Sequence, residues 1–358
     1  SFLTGQYASA VHINGNGLDA FPDYPPLVTR TLAEAGYDCG LIGKLHLASA
    51  YGRIEPRVED GYRYWEYSHA PRDDWPTGHG YADWVREKGE VLGELMKAHP
   101  TGLPAEYHQT TWCAEKTIDF IRANQGNSWF FSFNCFDPHH PFDPPPEYLE
   151  RYDPDEMPLP KTHPDEEASQ TTFQEKDREW AHDTPGEFHT GAMSDDDHRQ
   201  VYAANLAMVE LIDDQFGRIL AALEETGQAE NTLVVFMSDH GEMLGDHGIY
   251  FKGPHFYDCA TRVPLVVRWP QGGVQSNLKA SGLVELIDLA PTMLEAAGLG
   301  VSSRIQGRSL LPVLRGEGDP SRIRERVYSE YYNSWTHKDA YGTMLRTETE
   351  KIVVYHGT

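Results

Sequence analysis

Helical and strand-like hydrophobic patterns alternate along the first 300 residues of the chain. Apolar side chains recur at steps of three and four from Tyr202 to Leu223, which predicts a long helix with one face on the core. Shorter helices are predicted at residues 105–123, in the segment that Pro25-Pro26 opens and Gly36 closes, and after a capping Asp288. Short apolar runs predict strands at residues 37–42, 129–135, 232–237 and 263–269. This alternation predicts an α/β fold with a largely parallel sheet flanked by helices.

Two stretches depart from this alternation. Residues 136–199 are rich in Pro, Asp, Glu and His and show little periodicity, which predicts a long excursion over the surface. From about residue 319 the pattern changes to short strand-like pieces, which predict a small antiparallel C-terminal subdomain; they are residues 326–331, 341–346 and 351–355. We therefore predict a catalytic domain over residues 1–318 and the start of a smaller subdomain over residues 319–358.

Composition and charge narrow the classes of function. The 358 residues carry 30 Lys and Arg against 55 Asp and Glu, a formal net charge of −25. Such an acidic chain repels phosphate backbones, so a general nucleic-acid partner is not expected. No run approaches the roughly 18 apolar residues of a membrane span, and no membrane partner is predicted. The four cysteines form no C-x-x-C pair, which argues against a thiolate zinc site.

Polar clusters follow three of the predicted strands. These clusters are Gly43-Lys44-Leu45-His46, Asp137-Pro138-His139-His140-Pro141 and Ser238-Asp239-His240-Gly241-Glu242. Ligands of open parallel sheets bind beyond the carboxyl ends of the strands, so the three clusters are expected to share one crevice.

The side chains of these clusters suit the binding and hydrolysis of an anionic ester. Asp239 and His240 can hold a divalent cation, and Gly241 permits a close turn behind them. Lys44 and, 13 residues after Asp239, Lys252 can bind anionic oxygens; if the chain stays extended, His46 lies on the same face as Lys44. His46 can move a proton near neutral pH, and the prolines on either side of His139 fix the backbone and so aim its ring. A capping Asp, solvated histidines and surface lysines remain alternatives at this point, and the nearby His247 and His255 are assigned no role.

The series of motifs resembles the sulfatases of the alkaline phosphatase superfamily. The match includes Ser238 to Glu242, Gly245-Asp246-His247-Gly248, Lys252 and Arg262-Val263-Pro264-Leu265. It extends, in the same order along the chain, to Thr31 to Tyr37 with Gly43 to His46, Pro138 to Phe142, Asp288 to Thr292 and Gly307 to Leu310. The resemblance implies an α/β sandwich of the alkaline-phosphatase type, with a large mixed, mainly parallel sheet, flanking helices and a small C-terminal antiparallel subdomain.

The resemblance also implies roles for individual residues. Lys44, His46, His139 and Lys252 would hold the sulfate group and move protons. Asp239 and His240 would bind one divalent metal ion, usually Ca²⁺, with Mg²⁺ or Mn²⁺ as alternatives. The nucleophile of the family is a formylglycine made from the Cys or Ser of a C/S-x-P-S-R motif. Ser1-Phe2-Leu3-Thr4-Gly5 resembles the segment just after that motif, so the nucleophile and two further metal-binding aspartates are expected upstream of Ser1.

Three functions remain compatible with these residues. The first is hydrolysis of a small-molecule or saccharide sulfate ester. The second is hydrolysis of a phosphonate or phosphate ester on the same scaffold, because both anions are tetrahedral. The third is a non-catalytic protein that keeps the fold. The sequence does not specify the alcohol part of the substrate, the oligomeric state or the cellular location.

Overall fold

A computed structural model of the protein describes residues 1–12, 25–47, 57–71, 79–183, 192–332 and 340–356, without the side chains of residues 179–183. Its α-helices are α1 (Val28–Glu34), α2 (Gly80–Glu87), α3 (Leu92–Ala98), α4 (Gln109–Ala123), α5 (Pro146–Leu149), α6 (Thr172–Asp183), α7 (Asp195–Glu225), α8 (Asp258–Thr261), α9 (Leu289–Ala296) and α10 (Leu311–Leu314). Its strands are β1 (Asp38–Gly43), β2 (Tyr64–Tyr67), β3 (Trp129–Asn134), β4 (Val234–Met237), β5 (Leu265–Arg268), β6 (Val327–Tyr332), β7 (Tyr341–Arg346) and β8 (Lys351–Tyr355). The predicted α/β class is confirmed.

A parallel sheet forms the part of the fold that carries two of the polar clusters. Its strand order is β2-β1-β3, and both neighbours run parallel to β1. Gly43 at the end of β1 pairs with Tyr67 of β2 and with Asn134 of β3, so all three carboxyl ends meet at one edge. The segments that follow β1 and β3 therefore start side by side, as the sequence predicted.

Two antiparallel sheets complete the described strands. Strand β4 pairs with β5, joining Met237 to Leu265 at the end that leads into the third polar cluster. Strands β6, β7 and β8 form the C-terminal sheet in that order, which confirms the predicted antiparallel arrangement. The predicted domain boundary at residue 318 stays a prediction.

The long helix α7 packs against α4 beneath the parallel sheet. Ser194 starts α7 with a capping box, in which its hydroxyl accepts from Asp197 N–H and the Asp197 carboxylate accepts from Ser194 N–H. Buried apolar side chains join the two helices, among them Ile121 of α4 and Ile219 of α7. The helix predicted from Tyr202 to Leu223 is confirmed and extends beyond this range at its N-terminal end. Its predicted core face is only partly correct, because Val209 is 44% exposed whereas Met208 and Leu211 are fully buried.

Asp288 occupies the N-cap position of α9, as predicted, but its side chain does not cap that helix. Its buried carboxylate makes no capping bond to α9 and instead accepts from the backbone N–H of Glu285 and of Arg308, each at 2.8 Å. It also lies 2.5 Å from the guanidinium of Arg324, which pairs with Glu285 as well. Leaving a buried carboxylate without a cation costs more free energy than leaving a helix without a side-chain cap. The pair also connects Arg324, just before the C-terminal sheet, to the α/β body.

The predicted surface excursion over residues 136–199 contains more regular structure than its weak periodicity indicates. It contains α5, α6 and the start of α7 in addition to irregular backbone. Of the described helices, none is both long and apolar enough to cross a membrane.

Candidate active site

The ends of β1 and β3 deliver Lys44, His46 and His139 to one cleft. Asn134 fixes the backbone there, because Lys44 N–H donates to its carbonyl at 3.0 Å and its own Nδ2 donates to the Lys44 carbonyl at 2.8 Å. The backbone does not stay extended through His46, whose φ is 57°. The side chains of Lys44 and His46 nevertheless line the same cleft. The two residues are therefore close, as predicted, although the backbone between them is not extended.

His139 is held as a neutral imidazole with a defined hydrogen-bonding pattern. Its Nδ1 donates to the carbonyl oxygen of His140 at 2.7 Å, which leaves the lone pair of Nε2 as an acceptor. The Nζ of Lys252 lies 2.5 Å from that Nε2. Burial, and then the charge of Lys252, hold the pKa of His139 well below its ordinary value. The ring is therefore an acceptor from Lys252 in the free protein.

Lys252 projects from a sharp turn. Phe251 before it has a φ of 68° and Gly253 after it a φ of 38°, so the lysine lies between two left-handed residues. Burial lowers the pKa of Lys252 to about 8, with the carboxylate of Glu242 acting in the opposite direction. This lysine is a stronger acid than an exposed lysine and remains mostly charged at neutral pH.

The side chains of Asp239 and His240 turn two hydrogen-bond acceptors toward each other. His240 Nδ1 donates to the carbonyl of Gly241 at 2.9 Å, so its Nε2 carries a lone pair, and that atom lies 3.8 Å from Asp239 Oδ2. Two acceptor atoms at this separation face each other favourably only when a cation or a donor lies between them. A Cβ at Gly241 would lie 1.8 Å from the carbonyl oxygen of Cys259, so only glycine allows this close turn.

The described residues offer two of the ligands that such a cation needs. They contain no group of three or more His, Cys, Asp or Glu side chains able to hold a metal ion. Carboxylate oxygen and imidazole nitrogen suit several divalent ions, and the oxygen suits Ca²⁺ and Mg²⁺ in particular. The residues present therefore fit one side of a divalent metal site.

His46 is buried beside these groups as a second neutral imidazole. Burial lowers its pKa to about 4, and the nearby charge of Lys44 acts in the same direction while Asp239 opposes it. Its ring meets that of His69 edge-on, with centroids 4.9 Å apart. At neutral pH His46 is therefore uncharged. It can accept a proton or a hydrogen bond, but it cannot act as an imidazolium acid.

Two histidines of this site were given no role from the sequence. His140 stacks on His139 with ring centroids 4.2 Å apart, and burial lowers its pKa to about 3. It also packs against Phe251, at 4.3 Å between centroids. His140 belongs to the polar cluster after β3, so the sequence placed it near the site. His69 belongs to no motif, and nothing in the sequence indicated its place.

The cleft as a whole has a volume of about 2930 Å³ and contains all six of the predicted site residues: Lys44, His46, His139, Asp239, His240 and Lys252. The structure thus brings together two lysines, neutral imidazoles and the carboxylate of Asp239 within one large open space. Such a set can bind a tetrahedral anion and move protons at its oxygens.

Comparisons with known proteins identify the family. Residues 1–299 match the family model described as Sulfatase, and residues 245–358 match the one described as N-sulphoglucosamine sulphohydrolase, C-terminal. The chain belongs to the sulfatase family, as its motifs predicted.

Relatives of known sequence agree with this assignment. The chain is 31% identical over 280 residues to the multifunctional alkaline phosphatase superfamily protein PehA of Trinickia caryophylli, covering 72% of this chain and 54% of that protein. It is 27% identical over 327 residues to an arylsulfatase of Clostridium perfringens, covering 86% of this chain and 66% of the relative. The chain thus spans about half to two thirds of the length of these relatives.

A solved structure shares the fold closely. The phosphonate monoester hydrolase SpPMH from Silicibacter pomeroyi matches with a TM-score of 0.80 and 25% identity, covering 99% of this chain and 78% of the other. A protein solved in complex with D-glucosamine-2-N,6-O-disulfate matches with a TM-score of 0.71 and 23% identity, covering 99% and 78% of the two chains, and supports the fold alone.

Proposed function

We propose that the protein in its full length hydrolyses sulfate esters. The observation that carries this proposal is the contact between Lys252 Nζ and His139 Nε2, at 2.5 Å, in a cleft shared with Lys44 and Asp239. Membership of the sulfatase family supports the same reaction. The family also implies a divalent metal and a formylglycine nucleophile. We propose that Asp239 and His240 bind the metal, most readily Ca²⁺, and that the formylglycine forms upstream of Ser1.

The metal, when bound, supplies a fixed positive charge for the sulfate oxygens, and the formylglycine supplies the attacking oxygen. Lys44 and Lys252 bind the sulfate group and offset its charge within an otherwise acidic protein. Lys252, with its lowered pKa, gives a proton toward the leaving oxygen, and His139 orients its Nζ through Nε2. His46, neutral at the start, accepts a proton when sulfate is released.

The alcohol that the enzyme releases is proposed to be a small molecule or a saccharide. An N-acetylglucosamine-6-O-sulfatase of Bacteroides thetaiotaomicron is 36% identical over 163 residues, covering 44% of this chain and 28% of that protein. Tryptophan rings can stack on a sugar, but the tryptophans of residues 55–105 give little support for a saccharide substrate. Trp84 is buried and Trp65 stacks in parallel on Tyr67 at 5.6 Å between centroids, which makes both packing residues, and Trp75 lies outside the described residues.

Hydrolysis of phosphonate or phosphate esters is the second candidate. It is supported by the fold match to a phosphonate monoester hydrolase and by the identity to PehA. Two lysines and a divalent metal ion can bind either a sulfate or a phosphorus ester, so the charge of the site does not separate the two reactions. A comparison of the rates at which the enzyme cleaves sulfate and phosphorus esters separates them.

We expect the full-length, formylglycine-bearing enzyme to cleave an aryl sulfate faster than the matching phosphate monoester or phenylphosphonate ester. A formylglycine, if formed upstream of Ser1, would supply both the attacking oxygen and, as an aldehyde hydrate, a route for the release of sulfate. Turnover numbers and Michaelis constants for the three esters, measured with one enzyme preparation, decide the order. A clear preference for either phosphorus ester would replace the sulfatase proposal with the second candidate.

The pH profile of kcat/KM should fall on the alkaline side through about pH 8. The reason is the pKa of Lys252, which burial lowers to about 8, so that the free enzyme loses this cation as the pH rises through that value. Lys252→Arg keeps the charge at all accessible pH values and should move the alkaline limb upward, although turnover falls. An alkaline limb at the same pH in wild type and Lys252→Arg would assign it to another group.

A further inference from the structure

The turn that carries Lys252 is part of a segment that the C-terminal sheet holds from one side. Tyr355 of β8 donates its hydroxyl to the carbonyl of Pro254 at 2.7 Å. Lys351, also of β8, donates to the carbonyl of Phe256 at 2.9 Å. These bonds fix the backbone beyond Lys252 but do not reach the residues immediately next to it.

Helix α6, in the excursion, holds the same segment from another side. Gln174 donates to the hydroxyl of Tyr257 at 3.1 Å, and the carboxylate of Asp177 accepts from His255 Nε2 at 2.5 Å. Phe173 packs on Tyr355, with ring centroids 5.1 Å apart. Phe173, Gln174 and Asp177 lie within about one helical turn of each other, with Asp177 four positions after Phe173 and three after Gln174. They therefore occupy one face of α6. That face is directed at the Lys252 segment.

The Asp177–His255 pair is the contact of α6 that lies nearest in sequence to Lys252. The side chain of His255 is fully buried and that of Asp177 is 13% exposed. His255 Nδ1 has no hydrogen-bond partner in the described part of the chain. The bond from Nε2 to Asp177 therefore fixes the orientation of the ring.

The pair also packs on the backbone of the residue that follows Lys252. A Cβ at Gly253 would lie 2.5 Å from Asp177 Oδ2 and 2.7 Å from His255 Nε2. The carboxylate and the imidazole thus lie against the turn at the point where its φ is 38°. On the other side of Lys252, Phe251 packs on His140 at 4.3 Å between centroids. The turn is therefore held between two contacts.

We infer that Asp177 and His255 are positioning residues for Lys252: their contact across Gly253 sets the turn so that Nζ faces His139. This inference rests on the proposed function for its kinetic consequence. Neither residue touches the reacting atoms, and Asp177 acts through His255. Loss of the pair should therefore affect the step in which Lys252 gives its proton more than it affects the binding of substrate.

The kinetic test uses the full-length enzyme and an aryl sulfate. Asp177→Ala and His255→Leu should each lower kcat about ten- to a hundredfold while KM changes less than about threefold, because a small displacement of a catalytic group has effects of this size. Asp177→Asn keeps an acceptor and His255→Gln keeps a donor, so both should recover much of kcat. Glu175→Gln removes an exposed carboxylate from the same helix and should match wild type.

A double-mutant cycle and crystal structures complete the test. The double variant should lose no more kcat than the worse single variant, because both changes break one contact. In crystals of Asp177→Ala, or of His255→Leu where the former does not fold, Lys252 Nζ should leave hydrogen-bonding distance of His139 Nε2. Additive losses, a rise in KM with kcat unchanged, or an intact Lys252–His139 contact in the variant crystal would overturn the inference. If wild type cleaves none of the esters, the proposed function fails, and the crystal structures alone decide the inference.

Discussion

Asp239→Asn in the full-length enzyme should lose on the order of a thousandfold in turnover and hold less divalent metal than wild type. The carboxylate of Asp239 lies 3.8 Å from the lone-pair nitrogen of His240 and supplies the only charge of that pair. An amide keeps the shape but removes this charge, so the affinity for a divalent ion falls. Elemental analysis of the purified variant, combined with turnover of an aryl sulfate, measures both effects.

Two further variants make this result specific. Asp213→Asn removes an exposed carboxylate on α7 that does not line the cleft, and should keep both metal and turnover. His240→Asn should be milder than Asp239→Asn, because an amide oxygen can also bind a hard cation. Full metal occupancy in Asp239→Asn would show that Asp239 is not a ligand.

His139→Ala should lose about a hundredfold or more in turnover, because it removes the side chain that orients Lys252, the proposed proton donor. The imidazole accepts from Lys252 at 2.5 Å, and without it the lysine has lost the acceptor that aims its Nζ. The melting temperature should stay within a few degrees of wild type, because His139 lies at the cleft and not within the apolar clusters beneath the sheet. Steady-state kinetics and thermal unfolding of the same preparations provide both numbers.

Matched controls separate chemistry from stability. His163→Ala removes an exposed histidine of the excursion and should leave turnover unchanged. His46→Ala should resemble His139→Ala in the size of its loss, since both imidazoles are neutral and line the same cleft. A large loss of stability with near-normal specific activity would make His139 a structural residue.

The C-terminal strands were predictable almost residue by residue. The predicted ranges 341–346 and 351–355 coincide with β7 and β8, because short β-rich runs between turns leave few other choices. Helix α6 was missed for the opposite reason. Among the α6 side chains that the structure describes, Phe173 is the buried apolar one, and tertiary contacts that no local periodicity reveals hold the helix.

The neighbourhood of the candidate site residues followed from the sequence, whereas their fine geometry did not. Polar clusters after β1, β3 and β4 were expected to meet, and the structure brings Lys44, His139 and Asp239 into one cleft. The hydrogen bond between Asp177 and His255 joins positions 78 residues apart, and neither residue spacing nor a motif predicts such a contact. The lowered pKa values likewise depend on burial, which a list of residue types does not contain.

The guanidinium of Arg324 has a consequence for how the protein comes apart. It is 6% exposed and paired with two carboxylates of the α/β body, Glu285 and Asp288, which are 8% and 0% exposed. Detaching the C-terminal sheet on its own would strand these carboxylates without their cation, a change that costs about 3–5 kcal/mol for a broken buried pair. We therefore expect the sheet and the body to melt together in one cooperative transition, so that the support of the Lys252 segment is not lost while the rest of the enzyme remains folded.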